Sequence, residues 1–263
     1  VTHGQQPPTP TIESALAKFE STIAATDEKM TRLLGAVEQA VARASSISTP
    51  LAGPLGSRLL ITPLHERATQ KLADLAAAWG NLRTIFVNHA ASTVPVLSLV
   101  VAGFRWTEEI LPGLSAMSAV ARDIKGDALH AWGGPAARAY QEKRSAQGEA
   151  LDSLVGAIEK TSITLLELAN TNAEFLLQLT EPLLDLGEEI AEAIMELITV
   201  VGVLEAIDTV ASAISRAVAD VVRIEKLATQ HGMVSLGRLN ELLMITNNNQ
   251  AMPDGRWPQA VHR

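Results

Sequence analysis

The chain has 263 residues, 47% of them hydrophobic but only 3% aromatic, and its formal net charge is -8. A core of Ala, Leu, Val and Ile with few rings suits closely packed helices, whereas strands favour β-branched and aromatic side chains. The acidic balance, with no run of Lys and Arg, excludes a nucleic-acid backbone as partner, and the absence of cysteine excludes disulfides, thiolate catalysis and zinc sites built on Cys.

Residues 1–10 are polar and carry Pro7, Pro8 and Pro10, which reads as a disordered arm ending at a helix start. The stretch Val1–Ser14 has no basic region followed by an apolar run, so no general secretory signal peptide is expected there. A first helix is expected from about Thr11 to Ser45. Its stripe of Ile12, Leu16, Phe19, Ile23, Met30, Leu33 and Val37 alternates steps of four and three and is broken only by Thr26.

Pro50, Gly53, Pro54, Gly56 and Pro63 mark a connection, after which Thr62-Pro63 supplies an N-cap and first-turn pair for a second helix. That helix carries Leu72, Leu75, Trp79, Leu82, Phe86 and His89 on its apolar stripe, and Pro95 is expected to kink or end it. A histidine in such a stripe reads as a core or interface residue. Ser92–Phe104 is apolar but falls short of the roughly 20 residues a membrane span needs. Pro112-Gly113 then reads as a break before a short helix from about Ser115 to Ile124.

After Trp132-Gly133-Gly134 a long helix is expected from Pro135 to about Leu179, with Tyr140 at the start of its seam. Thr180-Glu181-Pro182 reads as a kink or restart, and His231-Gly232 as the stop of the following helix. A last short helix, Val234–Ile245, precedes a polar tail. Within the 180–230 helix, Ile190, Ile194, Leu197, Ile198, Val201 and Leu204 form a broad apolar face. It admits two readings: the buried centre of a bundle, or a face that meets a membrane or a partner helix.

Chemistry is sparse. His65-Glu66 begins a zinc-protease pattern, but Thr69 stands where its second His belongs. Asp127 and His130 have i, i+3 spacing, which serves a metal or, more plainly, a helix cap beside an exposed imidazole. Glu188, Glu189, Glu192 and Glu196 read as a solvated helix face. No catalytic, cofactor-binding or metal-binding residue is assigned, and no enzyme activity is expected.

The most informative segment is Trp132-Gly133-Gly134-Pro135-Ala136-Ala137-Arg138-Ala139-Tyr140. Two glycines permit a sharp reversal, Pro135 opens a helix, and two alanines allow close helix approach. Trp132 is expected to fold over the junction, and Tyr140 to face inward. Over about residues 115–179 this segment resembles the W-x-G helical hairpins of type VII (ESX) secretion substrates of actinobacteria and related bacteria. The resemblance implies a small α-helical hairpin that pairs with a helical partner, in a homo- or hetero-oligomer. It also implies export to the medium or cell envelope without a cleaved signal peptide, after residence in the cytoplasm. Many family members carry a Y-x-x-x-D/E export signal. Four residues after Tyr140, the only tyrosine, stands Arg144, so that signal is not carried here.

The expectation is therefore an all-α chain: an elongated bundle of long antiparallel helices containing a W-x-G helix-turn-helix hairpin. Its divisions are an arm at 1–10, a helical segment at 11–112, the hairpin at 113–179, a second helical segment at 180–245 and a flexible tail at 246–263, with 11–245 packed as one domain. The expected function is helix-on-helix recognition in type VII secretion. The alternative is an α-helical membrane-active protein, with Ser92–Phe104 or Ile190–Leu204 as its insertion element.

Overall fold

The computed structural model describes residues 9–47, 58–122, 132–197, 200–247, 251–252 and 256–257. The protein is all-α, with no strand among the described residues. Its helices are α1 (Thr9–Ile47), α2 (Arg58–Arg105), α3 (Leu111–Arg122), α4 (Pro135–Glu196) and α5 (Val200–Asn247), with one π-helical turn, Trp106–Ile110, joining α2 to α3. They form two compact units, to both of which α2, α4 and α5 contribute. One comprises Thr11–Val94 and Asn172–Thr229; the other comprises Val1–Pro10, Pro95–Thr171 and Gln230–Arg263.

The first unit is a packing of four helices. The heptad seam of α1 is its inner face: Ile12, Phe19, Met30, Leu33 and Val37 are buried. Phe19 meets Phe86 edge-on, ring centroids 5.8 Å apart, and the Trp79 indole donates to Asp27 at 2.9 Å, so α1 and α2 run antiparallel. Arg216 on α5 reaches Glu189 on α4 at 2.5 Å across another antiparallel pair. Two other pairs of neighbours are parallel. Thr26 and Lys29 on α1 donate to the carbonyls of Leu183 and Gly187 on α4, and Lys71 on α2 pairs with Asp208 on α5. Consecutive helices are thus antiparallel as expected, but α1 with α4 and α2 with α5 are not.

Thr26, the one polar residue in the α1 seam, is 2% exposed and uses its hydroxyl to bond α4. The other buried hydroxyls are satisfied as well. Thr22, Thr93 and Thr180 donate to carbonyls one turn back, and Ser118 donates to Asp152. Burying a hydroxyl without such a partner would cost about 1–3 kcal/mol.

The second unit is built on α4. Against it lie the end of α2, the π-helical turn and α3, all antiparallel to it. Thr107 bonds Ser162 at 2.6 Å, and Arg144 donates to the carbonyls of Val120 and Ala121 at 2.6 and 2.9 Å. Arg122 and Ser118 both engage Asp152. At Gly103 the two helices approach so closely that a β-carbon would run into the Leu165 side chain. Arg238 on α5 pairs with Glu167 on α4.

At four expected breaks the helix does not end. Pro95 lies within α2 and Pro182 within α4, and neither ends its helix. An interior proline forfeits one hydrogen bond and crowds the carbonyl four residues back. Here the burial of Thr93 and Val100 around the first, and of Leu179, Leu183 and Leu186 around the second, offsets that cost. Pro112-Gly113 is not a break either. The Leu111 amide bonds back to the Trp106 carbonyl, five residues away, which widens the turn just before the proline ring. His231-Gly232 does not stop α5, which continues to Asn247, and α2 begins at Arg58, four residues before Thr62-Pro63. One boundary was not expected. The 180–230 helix divides, with α4 ending at Glu196 and α5 beginning at Val200. Residues 197–199 hold no glycine or proline, and the nearest such residue is Gly202, in the first turn of α5.

Candidate interaction surface

The turn before α4 is built on one backbone requirement. Gly134 has φ of 98°, a conformation that side chains other than hydrogen rarely adopt. Its carbonyl accepts the Arg138 amide at 3.3 Å, so it closes the first turn of α4, and Pro135 follows where a missing N–H costs nothing. Gly133 has no positive φ and nothing within 4 Å of where a β-carbon would stand. Of the two glycines, the geometry requires only the second.

Trp132 and Tyr140 are not in the core. They are 44% and 40% exposed, and they lean on each other across the turn, with centroids 5.5 Å apart and planes at 53°. The inward residue is Ala137, 4% exposed. In a helix Tyr140 stands three residues, close to one turn, beyond Ala137. It is angled away from the α4 core and toward Trp132. The expected seam therefore starts later than Tyr140: Leu151 is its first buried member, and Leu179, near its far end, is buried as well. Asp127 and His130 lie outside the described residues.

The broad face at 190–204 is divided between two helices. Ile190 is fully buried; Ile194, Leu197 and Leu204 are half-buried. Ile198 lies outside the described residues, as does the side chain of Val201. Val203, Ala206 and Ile207 are buried where α5 begins. His89 occupies a packed position as expected, with Nε2 2.8 Å from Glu225 and its ring edge-on to Phe175 at 5.3 Å. Among the described residues no three His, Asp or Glu side chains gather as a metal site would need.

A surface the sequence argument missed lies on the π-helical turn and its flanks. Val100, Gly103 and Thr107 face α4, yet the opposite side of the same helical run is also apolar: Leu99, Trp106, Ile110, Met117 and Val120 are 45 to 69% exposed. Steps of seven, four, seven and three separate them, a second heptad seam with nothing described against it. Leu97, Val101, Ala102, Trp106 and Ile110 border a shallow concavity of about 590 Å³, with Arg105 and Glu109 on its margin. Assuming an end at Pro95 and a break at Pro112 cut this stripe into pieces too short to register. The run Glu66–Arg122 also contains an 18-residue stretch of mean hydropathy 1.7, of which 22% is buried. Among the described residues it is the one helix long and apolar enough to cross a membrane. The end of α5 is similarly open, with Met233, Val234, Leu236, Leu243 and Met244 more than half exposed.

Comparison with family models, with curated proteins and with solved structures finds no match to this chain.

Proposed function

We propose that this chain is a non-enzymatic helical protein that works by pairing its helices with those of a protein partner, in the manner of type VII secretion substrates. The observation that carries the reading is the pair of exposed aromatics at a helix turn. Trp132 and Tyr140 stand on either side of Gly134, whose φ only glycine takes easily, and neither ring is spent on the core. Exposed aromatics fixed on a rigid turn are what protein interfaces use as anchors. The antiparallel packing of α3 on α4 supports a hairpin around that turn.

Export is the part of the reading that rests on the resemblance of the Trp132–Tyr140 segment alone. The test is co-purification from the native host, with a parallel assay of culture filtrate. The expected result is a stoichiometric helical partner and chain in the filtrate. A chain that is retained in the cells with no such partner overturns the reading.

One observation favours a second reading, membrane contact: the apolar stretch within Glu66–Arg122 is mostly unburied. Dye release from liposomes by the purified chain would support it, and intact liposomes at micromolar protein would dismiss it.

A further inference from the structure

We infer that the open face of the π-helical turn binds a second copy of this chain, as an antiparallel helix pair about a two-fold axis that crosses this face at the level of residue 107. The inference rests on the helix-pairing reading and names the surface and the occupant. Three observations lead to it, all from the unit that contains the turn.

The first is the division of one helical run into two faces. Gly103 and Thr107 are spent on α4, through close approach to Leu165 and the 2.6 Å bond to Ser162, and Val100, one turn before Gly103, is buried. Positions two residues away lie on the opposite side of the helix, so Ala102, Arg105 and Glu109 look outward. That outward face is apolar at Trp106, Ile110 and Met117, and a contiguous apolar stripe on a helix is left in water only at a cost that a partner removes.

The second is charge. Arg105 and Glu109 are exposed, border the same concavity, and make no ion pair among the described residues. A helix carrying one unpaired cation and one unpaired anion four residues apart is complementary to its own antiparallel image. Arg105 of one copy meets Glu109 of the other, and the two-fold repeats the pair. An isologous interface requires such self-complementarity, and a heterologous partner does not. Across that axis each charge is answered by the other copy, which is the charge complementarity that selects a second copy as occupant.

The third is register. With Arg105 opposite Glu109, Val101 falls opposite Gly113 and Leu97 opposite Met117 of the second copy. Gly113 is exposed with open space where a β-carbon would stand, so the Val101 side chain has room and the helix axes are free to approach closely. In the register that the charges dictate, Leu97 therefore meets Met117, and the two Trp106 side chains, two residues apart in level, flank the two-fold axis.

Sedimentation of the full-length chain tests this. Wild type is expected to be a dimer at micromolar concentration. Arg105→Glu and Glu109→Arg each turn two attractive pairs into two repulsive ones, and each is expected to weaken the dimer by about tenfold or more. The double variant R105E/E109R is expected to restore it. So is an equimolar mixture of the two single variants, which re-creates both attractive pairs in a heterodimer. Both positions are exposed, and unchanged helical circular dichroism will show that each variant folds. A wild type that stays monomeric at about 100 µM overturns the inference, as does a dimer indifferent to both reversals. A monomeric chain that still co-purifies with a helical partner from the host overturns the second copy as occupant and leaves the pairing reading standing. A monomeric chain that floats with phosphatidylcholine vesicles gives the face to a lipid surface instead.

Discussion

Asp27 on α1 accepts the indole N–H of Trp79 on α2 at 2.9 Å, while Arg83 holds its other oxygen at 3.2 Å. Trp79 is 5% exposed, and the carboxylate is the acceptor that its N–H uses. Asp27→Ala should therefore cost about 1–3 kcal/mol, the penalty for a buried donor left unpaired. Trp79→Phe removes the donor along with its need. In a Asp27→Ala background it should cost less than in wild type, and a double-mutant cycle from urea denaturation midpoints should return a coupling of about 1 kcal/mol or more. A coupling of zero would mean that Arg83 alone holds the carboxylate.

Thr26 poses the opposite question. Its hydroxyl reaches the Leu183 carbonyl at 3.3 Å, but it occupies a seam position where an apolar residue fits the period. Thr26→Val keeps the shape, and the Leu183 carbonyl lies inside α4 and has a helical donor of its own. The melting temperature should move by no more than about 2–3 °C, corresponding to well under 1 kcal/mol. Thr26→Ser, which keeps the hydroxyl and deletes a buried methyl, should be the worse of the two by about 1 kcal/mol.

Much of the fold was legible because amphipathic periodicity survives without tertiary information. The α1 seam is buried as spaced, and Trp79, Phe86 and His89 pack where their stripe puts them. What misled was punctuation. Pro95, Pro182 and Pro112 are strong local signals against a continuing helix, and each was overridden by packing against neighbouring helices or by one widened turn. The same override hid the open seam, because Leu99, Trp106, Ile110 and Met117 form one stripe only if the helix runs on through Pro112. Conversely, the α4–α5 boundary after Glu196 is marked only by Gly202 in the first turn of α5, and the apolar period of Leu197, Val201 and Leu204 runs on past it. In the turn before α4 the glycines were readable, but the side on which Trp132 and Tyr140 stand was not. A ring beside a sharp turn fits a core and a surface equally well until the neighbouring helix is placed.

Gly134 and Gly133 should respond unequally to alanine. At Gly134 the φ of 98° forces a β-carbon into a strained backbone, at a cost of about 1–2 kcal/mol, whereas Gly133→Ala should change stability by less than about 0.5 kcal/mol. Hydrogen exchange of the amides in the first turns of α4 will localise the effect. Equal loss of protection in both variants would show that the turn relies on flexibility at both positions and not on one positive φ.

Trp132→Ala should leave the fold largely intact. The ring is 44% exposed, and its chief described contact is Tyr140, so the loss should not exceed about 1 kcal/mol, the size of one aromatic pair. A buried tryptophan would cost about 3–5 kcal/mol. Binding is where the substitution should tell: in a co-purification from the native host, the variant should recover far less partner at unchanged helical content. Full recovery of partner with a folded variant would remove Trp132 from the interface.

Pro95→Ala offers a stabilising substitution. The proline is exposed, so replacing it sacrifices no core contact, and alanine restores an N–H that bonds the Ala91 carbonyl in α2. Proline in a helix interior is about 3 kcal/mol worse than alanine, and the stiffer unfolded chain it confers offsets about 1 kcal/mol of that. The expected gain is therefore about 1–2 kcal/mol, seen as a higher urea midpoint with an unchanged denaturant slope. If stability falls instead, the helix must be bent at Pro95 in a way that its packing needs. A straighter α2 would then pull Val100 and Gly103 out of their contacts, and the loss should be reversed by proline alone.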